Sequence, residues 1–218
     1  MPDTDSPEQE RSRDLDRLLT FVDAIVAIAI TLLVLPLAEL AGEVHEGDSA
    51  WHTIREHGGE FGAFVLSFLV IARIWLAQHR VVRGAIDSDR RFAAGLLAWS
   101  LTIVFLPFPT ALLADAGSQA VTKVCYIGTL ALSSALLALV AVGVRRQLPA
   151  GAAARPRVAP AAIDAVIFAV ALGLCLLLPV LSYWPLLLLT VADNVDGLQH
   201  RYVTRRRRHR VEGQDGSA

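Results

Sequence analysis

Two charges stand where the surrounding sequence offers no other. Asp23 interrupts the apolar run from Leu18 to Ala38, and Arg73 interrupts the run from Phe61 to His79. A carboxylate or a guanidinium in such a setting is costly alone and is turned toward protein, toward a partner of opposite sign or toward water. Asp23 lies about 9 Å inward from Arg17 along a helix, and Arg73 lies at a similar depth inward from Arg80. Equal depth invites a pairing. The chemistry open to such a pair is a proton or ion relay, or a brace between two helices, and the brace is the favoured reading. Other chemistry is not encoded in recognisable form. There is no H-E-x-x-H, no G-x-S-x-G, no glycine-rich phosphate loop and no Cys/His cluster at metal spacing. Of the six histidines, His45, His52 and His57 fall in an acidic stretch, His200 and His209 fall near the end, and His79 alone borders an apolar run suggestively. Cys125 and Cys175 each sit within apolar sequence and read as small core residues, not as a disulfide. An enzyme is therefore not expected, nor a bound metal or cofactor.

The elements that must position Asp23 and Arg73 are membrane helices. The first run is long enough to span about 30 Å, the thickness of a bilayer's hydrocarbon core. Over the 218 residues, 54% are hydrophobic and 19% charged, with a mean hydropathy of +0.49. The apolar residues pool into long runs, which excludes an ordinary soluble domain. The formal net charge of −1 says little, because the charges are segregated along the chain.

In chain order, residues 1–16 are polar and expected to be disordered until the first helix. The first apolar run is too long for the h-region of a signal peptide and reads as a retained helix. It runs from about Leu18 to Leu37, with Pro36 near its far end, where a break is cheap. A polar, acidic connection, Glu39 to Glu60, leads to a second span over Phe61–His79. A basic hinge, Arg80 to Arg91, precedes a third span over Phe92–Leu113, with Pro107 and Pro109 near its end. A fourth span covers Ala120–Val144. After a loop rich in Pro, Gly, Ala and Arg come a fifth span, Ala161–Val180, and a sixth, from Ser182 to about Leu198. The tail is basic and then polar. The domain division is 1–16, then a membrane domain over 17–203, then a tail over 204–218. All but Arg55, Arg73 and Lys123 of the 20 Lys and Arg residues fall on one side of this six-span topology. That bias puts both termini in the cytoplasm and supports an even number of spans. The run Arg205–Arg208 beside the last span reads as the same anchoring, not as a nucleic-acid site.

On the first span, Ile28, Leu32 and Leu35 share one stripe, with Ala24 and Thr31 beside it, and Asp23 points about 140° from Ile28. By spacing alone, ordinary helix packing or lipid contact is the favoured reading of the stripe over a pore.

Three motifs in order resemble the transmembrane-protein-175 family of potassium channels. The first is R-x-x-x-F-x-D followed by AIAITLLVL, beginning at Arg17. The second is the end of the second span, with Trp75 and His79. The third is FLPFPTALLAD, from Phe105 to Asp115. The resemblance covers roughly the first 115 residues. It implies a cation channel in which one six-helix unit per chain assembles as a homotetramer around four first helices. Rings of apolar side chains form the constriction, which places Ile28, Leu32 and Leu35 at the gate, and Thr31 matches a threonine linked to potassium preference. A polar network of Arg17, Phe21, Asp23, Trp75 and His79, extended to Arg73, would hold the first helix. Val22 stands where the family has serine, and Gln78 where it has the first of two histidines.

The sequence thus predicts an all-α polytopic protein of the inner membrane with six transmembrane helices and a pore formed by the first helix in an oligomer. It predicts passive, potassium-permeable conduction, with potassium ions and the lipid bilayer as partners. The alternative is a proton-coupled secondary transporter that titrates Asp23 and Arg73.

Overall fold

The computed structural model describes residues 7–43, 49–86, 89–116, 119–149, 152, 156 and 158–177. These form eight α-helices: α1 (Pro7–Leu32), α2 (Leu35–Glu43), α3 (Ala50–Glu56), α4 (Gly58–Val82), α5 (Arg90–Phe105), α6 (Pro107–Ala116), α7 (Ala120–Gln147) and α8 (Ala159–Leu177). Among the described residues, four stretches are long and apolar enough to cross a membrane: Gln9–Gly42, Gly58–Val82, Arg90–Ala114 and Ala120–Gln147. They coincide with the first four expected spans. The fifth falls on α8, and the sixth lies outside the described residues, as do the basic tail and most of the loop before α8. The chain is a multi-pass membrane protein.

Two spans are broken by proline, for the same reason. Pro36 has no N–H to offer the Leu32 carbonyl. The ladder tightens there into short steps, Leu33 N to Ile30 O at 3.3 Å and Val34 N to Thr31 O at 3.3 Å, and resumes with Ala38 N to Val34 O at 2.9 Å. At Pro107 the carbonyl left without its usual donor, that of Ile103, accepts instead from Leu106 N at 3.2 Å. The expected third span is therefore two helices, α5 and α6, hinged at Leu106.

Other expectations are corrected. The first helix does not wait for Leu18: α1 begins at Pro7, and residues 9–14 are a polar, exposed extension of the apolar span. Pro near the first helical position, followed by Glu8, Gln9, Glu10 and Arg11, is good helix-forming sequence, and low hydrophobicity alone does not unfold it. Within the acidic connection, α2 continues to Glu43 and α3 forms a short helix in which the Arg55 guanidinium lies 5.9 Å from the Trp51 ring centroid.

Packing follows helical periodicity. On α1 the buried face is Val22, Val26 and Ala29, continued by Leu33 just past the helix end, and α1 is set chiefly against α5 and also against α4 and α6. On α5 it is Phe92, Leu96, Trp99 and Ile103. The helix starts at an Asp89 cap, whose Oδ1 accepts from Phe92 N at 2.7 Å. The most enclosed helix is α7, which meets α4, α5, α6 and α8 and buries Tyr126, Ile127, Leu130, Leu137 and Val144. Gly95 of α5 faces it so closely that an added Cβ would stand 3.2 Å from Val140 Cγ2.

Candidate functional site

Three clusters tie the helices around α4. Trp75 and His79 are one turn apart on one face of α4 and their rings meet edge to face at 4.4 Å. The Trp75 indole Nε1 donates to Asp23 Oδ1 of α1 at 3.0 Å, and His79 Nε2 stands 3.6 Å from Asp23 Oδ2. His79 Nδ1 lies 3.2 Å from the Trp75 carbonyl oxygen. A carbonyl can only accept, so Nδ1 is the donor, and Nε2 carries a hydrogen toward Asp23 only in the imidazolium form. Asp23 is thus clamped to α4, on a carboxylate that remains half-exposed.

Arg73 goes elsewhere. Its Nη2 donates to Asp164 Oδ1 of α8 at 2.9 Å, with the two side chains 14% and 20% exposed. This is a correction to the pairing with Asp23 inferred from depth. Arg73 and Trp75 lie about 200° apart around α4, so the helix holds α1 with one side and α8 with the other. Asp164 was missed because the sequence treated the fifth span as an apolar run. The available signal was that Asp164 is the one acid within Ala161–Val180.

The third cluster is uncharged. The Thr110 and Ser67 hydroxyls are 2.8 Å apart, Ser67 Oγ is 3.1 Å from the Tyr126 hydroxyl, and Thr110 Oγ1 lies 2.8 Å from the Leu106 carbonyl. All three side chains are buried, and together they join α4, α6 and α7. Thr110 belongs to the P-F-P-T-A-L-L segment, and its hydroxyl also takes up a carbonyl at the hinge that the prolines loosen.

The rest of the expected network is dispersed. Arg17 and Phe21 are exposed on α1, and Val22, in place of the motif serine, is buried in the face that meets the bundle. An apolar side chain suits that contact. Gln78 is also buried, and its Oε1 meets no hydrogen-bond partner among the described residues.

The expected gate residues lie on the bare side of the first span. Ile28 is 59% exposed, Leu32 37% and Leu35 51%. Leu35 lies in α2, past the Pro36 break, so the stripe continues across a change of direction that ideal helical spacing ignores. The Thr31 hydroxyl donates to its own helix, to Ile28 O at 2.7 Å. Opposite Ile28 the helix is sealed against the bundle by Val22, Val26, Ala29 and Leu33. What the arrangement offers is an apolar strip along a helix whose rotation is set by the Asp23 clamp.

Comparison with known proteins agrees with this architecture. Residues 17–107 match the family described as the endosomal/lysosomal potassium channel TMEM175. Over 99 residues the chain is 33% identical to a potassium channel of Streptomyces collinus, covering 45% of this chain and 47% of the relative. Over 113 residues it is 34% identical to a potassium channel of Chamaesiphon minutus, covering 51% and 53%. A human relative, the endosomal/lysosomal proton channel TMEM175, is 27% identical over 99 residues, covering 44% of this chain and 19% of that protein. The chain spans about half the length of the two bacterial relatives it matches. The fold is similar to the crystal structure of a lysosomal potassium-selective channel TMEM175 homolog from Chamaesiphon minutus. The TM-score is 0.67 at 22% identity, over 84% of this chain and 98% of that one.

Proposed function

We propose that this chain, whose residues 17–107 match the TMEM175 family, is the subunit of a potassium-permeable channel of the inner membrane, with a pore lined by its first helix. The observation that carries the reading is the two-sidedness of α1. One face is sealed against α5, and the other presents Ile28 and Leu32, with Leu35 following in α2. Four copies, meeting on that face, would form stacked apolar rings around an axis. A narrow apolar ring obstructs a hydrated ion, and potassium sheds its water more cheaply than sodium. Ile28 is then the gate, Leu32 and Leu35 continue the constriction, and Thr31 supports the preference for potassium. Both termini face the cytoplasm.

Asp23, Trp75 and His79 are the brace that fixes how α1 is rotated, and Arg73 with Asp164 is a second brace. A proton-coupled carrier would need Asp23 and Arg73 to exchange protons with a path. That each is engaged by side chains of another helix favours the bracing role. Protons are proposed as a second permeant, since the human relative is a proton channel.

The test is potassium flux from liposomes containing the purified protein, wild type beside Ile28→Asn, with sodium and proton gradients as controls. Fast passive potassium flux whose rate or selectivity changes in the variant is the expected result. Slow, saturable flux that needs a proton gradient and is indifferent to Ile28 would overturn the reading.

A further inference from the structure

A groove lies between α5 and α7, away from α1 and its braces. Its volume is about 590 Å³, and its lining includes Arg91 and Gly95 of α5 with Leu139, Gly143 and Arg146 of α7. The residues form two facing stripes. Arg91 and Gly95 are one turn apart on α5, and Leu139, Gly143 and Arg146 follow at i, i+4 and i+7 on α7. Each stripe carries its arginine at the same end of the groove, where α5 begins and α7 finishes. Both arginines are exposed, and neither engages another side chain among the described residues. The carboxylate at that mouth, Asp89, is committed to capping α5, and Gln147 Oε1 accepts from Ile86 N at 3.3 Å.

Behind the arginines the walls are apolar and small. Leu139 is 66% exposed, and a Cβ added at Gly143 would meet nothing within 4 Å. Both positions belong to the span Ala120–Gln147. The groove therefore opens along a membrane helix, with two exposed arginines where that helix leaves the hydrocarbon. A basic mouth over an apolar slot of this size matches an anionic lipid, whose charge and tail are arranged in the same order.

We propose that this groove binds one anionic phospholipid, its phosphate between Arg91 and Arg146 and an acyl chain lying along Gly95 and Gly143. The proposal requires only that the chain spans a membrane and is independent of what the pore conducts.

The test is titration of the purified protein in detergent with phosphatidylglycerol, phosphatidylcholine and, separately, inorganic phosphate, with bound lipid or ion counted by native mass spectrometry. Wild type is expected to retain phosphatidylglycerol in preference to phosphatidylcholine. Arg91→Gln and Arg146→Gln each weaken the preference about fivefold and together about thirtyfold, as expected for a surface cation facing an anionic headgroup. Gly143→Leu fills the slot and lowers retention of both lipids, while Arg83→Gln, outside the groove, changes nothing. Melting temperatures close to wild type establish that the variants are folded, and Arg91→Lys with Arg146→Lys restores binding if Gln disturbs the fold. Equal retention of the two lipids, or a preference that survives the double substitution, would overturn the proposal. So would binding of phosphate alone with no effect of Gly143→Leu, since that describes an ion site and not a lipid site.

Discussion

The two sides of α4 hold their neighbours by different physics. Toward α1, a single carboxylate is shared between an indole N–H and an imidazole, half-open to its surroundings. Toward α8, a full ion pair closes at 2.9 Å with little exposure. In the first contact the loss of either Trp75 or His79 leaves the other beside the carboxylate. In the second, loss of either partner takes the opposite charge away from a group inside a membrane helix, so the cost is expected to be larger. The difference suits the proposed roles. A pore-lining helix needs a defined rotation but also latitude to adjust, whereas α8 needs only to stay attached.

The largest effect should come from breaking the ion pair on one side. Arg73→Ala removes the guanidinium that donates to Asp164 and is expected to cost about 3–5 kcal/mol, read as a large drop in melting temperature in detergent. Arg73→Met with Asp164→Leu should recover most of that loss. If the double variant is as unstable as the single one, the pair is not the isolated unit described here. Trp75→Phe keeps the ring and removes the donor to Asp23. Its cost should be smaller, about 1.5–3 kcal/mol for a hydrogen bond to a charged group, with altered potassium flux because α1 is freer to rotate. Asp23→Asn still accepts from Trp75, so a loss of about 1 kcal/mol is expected. A collapse equal to that of Arg73→Ala would erase the contrast between the two sides. The smallest change in stability should be that of Ile28→Ala on the bare face of α1, within about 0.5 kcal/mol. That variant should change flux while leaving the melting temperature nearly untouched, whereas Tyr126→Ala in the enclosed α7 should do the reverse, at about 3–5 kcal/mol.

What was legible in the sequence is what depends on one helix at a time. Length and hydropathy located the first four spans. Proline's missing N–H marked the breaks, although the one at Pro107 proved to divide the third span into α5 and α6 and not merely to end it. Trp75 and His79, which the family resemblance groups with Asp23, stand beside it in the structure, whereas matched depth along the helices paired Asp23 with Arg73. The polar start of α1 was misjudged because composition reports how little a segment can bury, and helix propensity can carry it from Pro7 into an apolar span regardless.

What only the tertiary structure decided is direction around each helix. Depth along the membrane put Asp23 and Arg73 level with each other, but two positions on α4 separated by about 200° look toward different neighbours. Arg73 therefore met Asp164, a residue distant in sequence that no local pattern could connect to it. The same holds for Ser67, Thr110 and Tyr126, which become one buried cluster only when α4, α6 and α7 come together. Hydropathy is a property of the single chain segment and determines what enters the membrane. The choice of partner is a property of the packed bundle, because an isolated polar group in a span constrains only that a partner exist, not which helix supplies it.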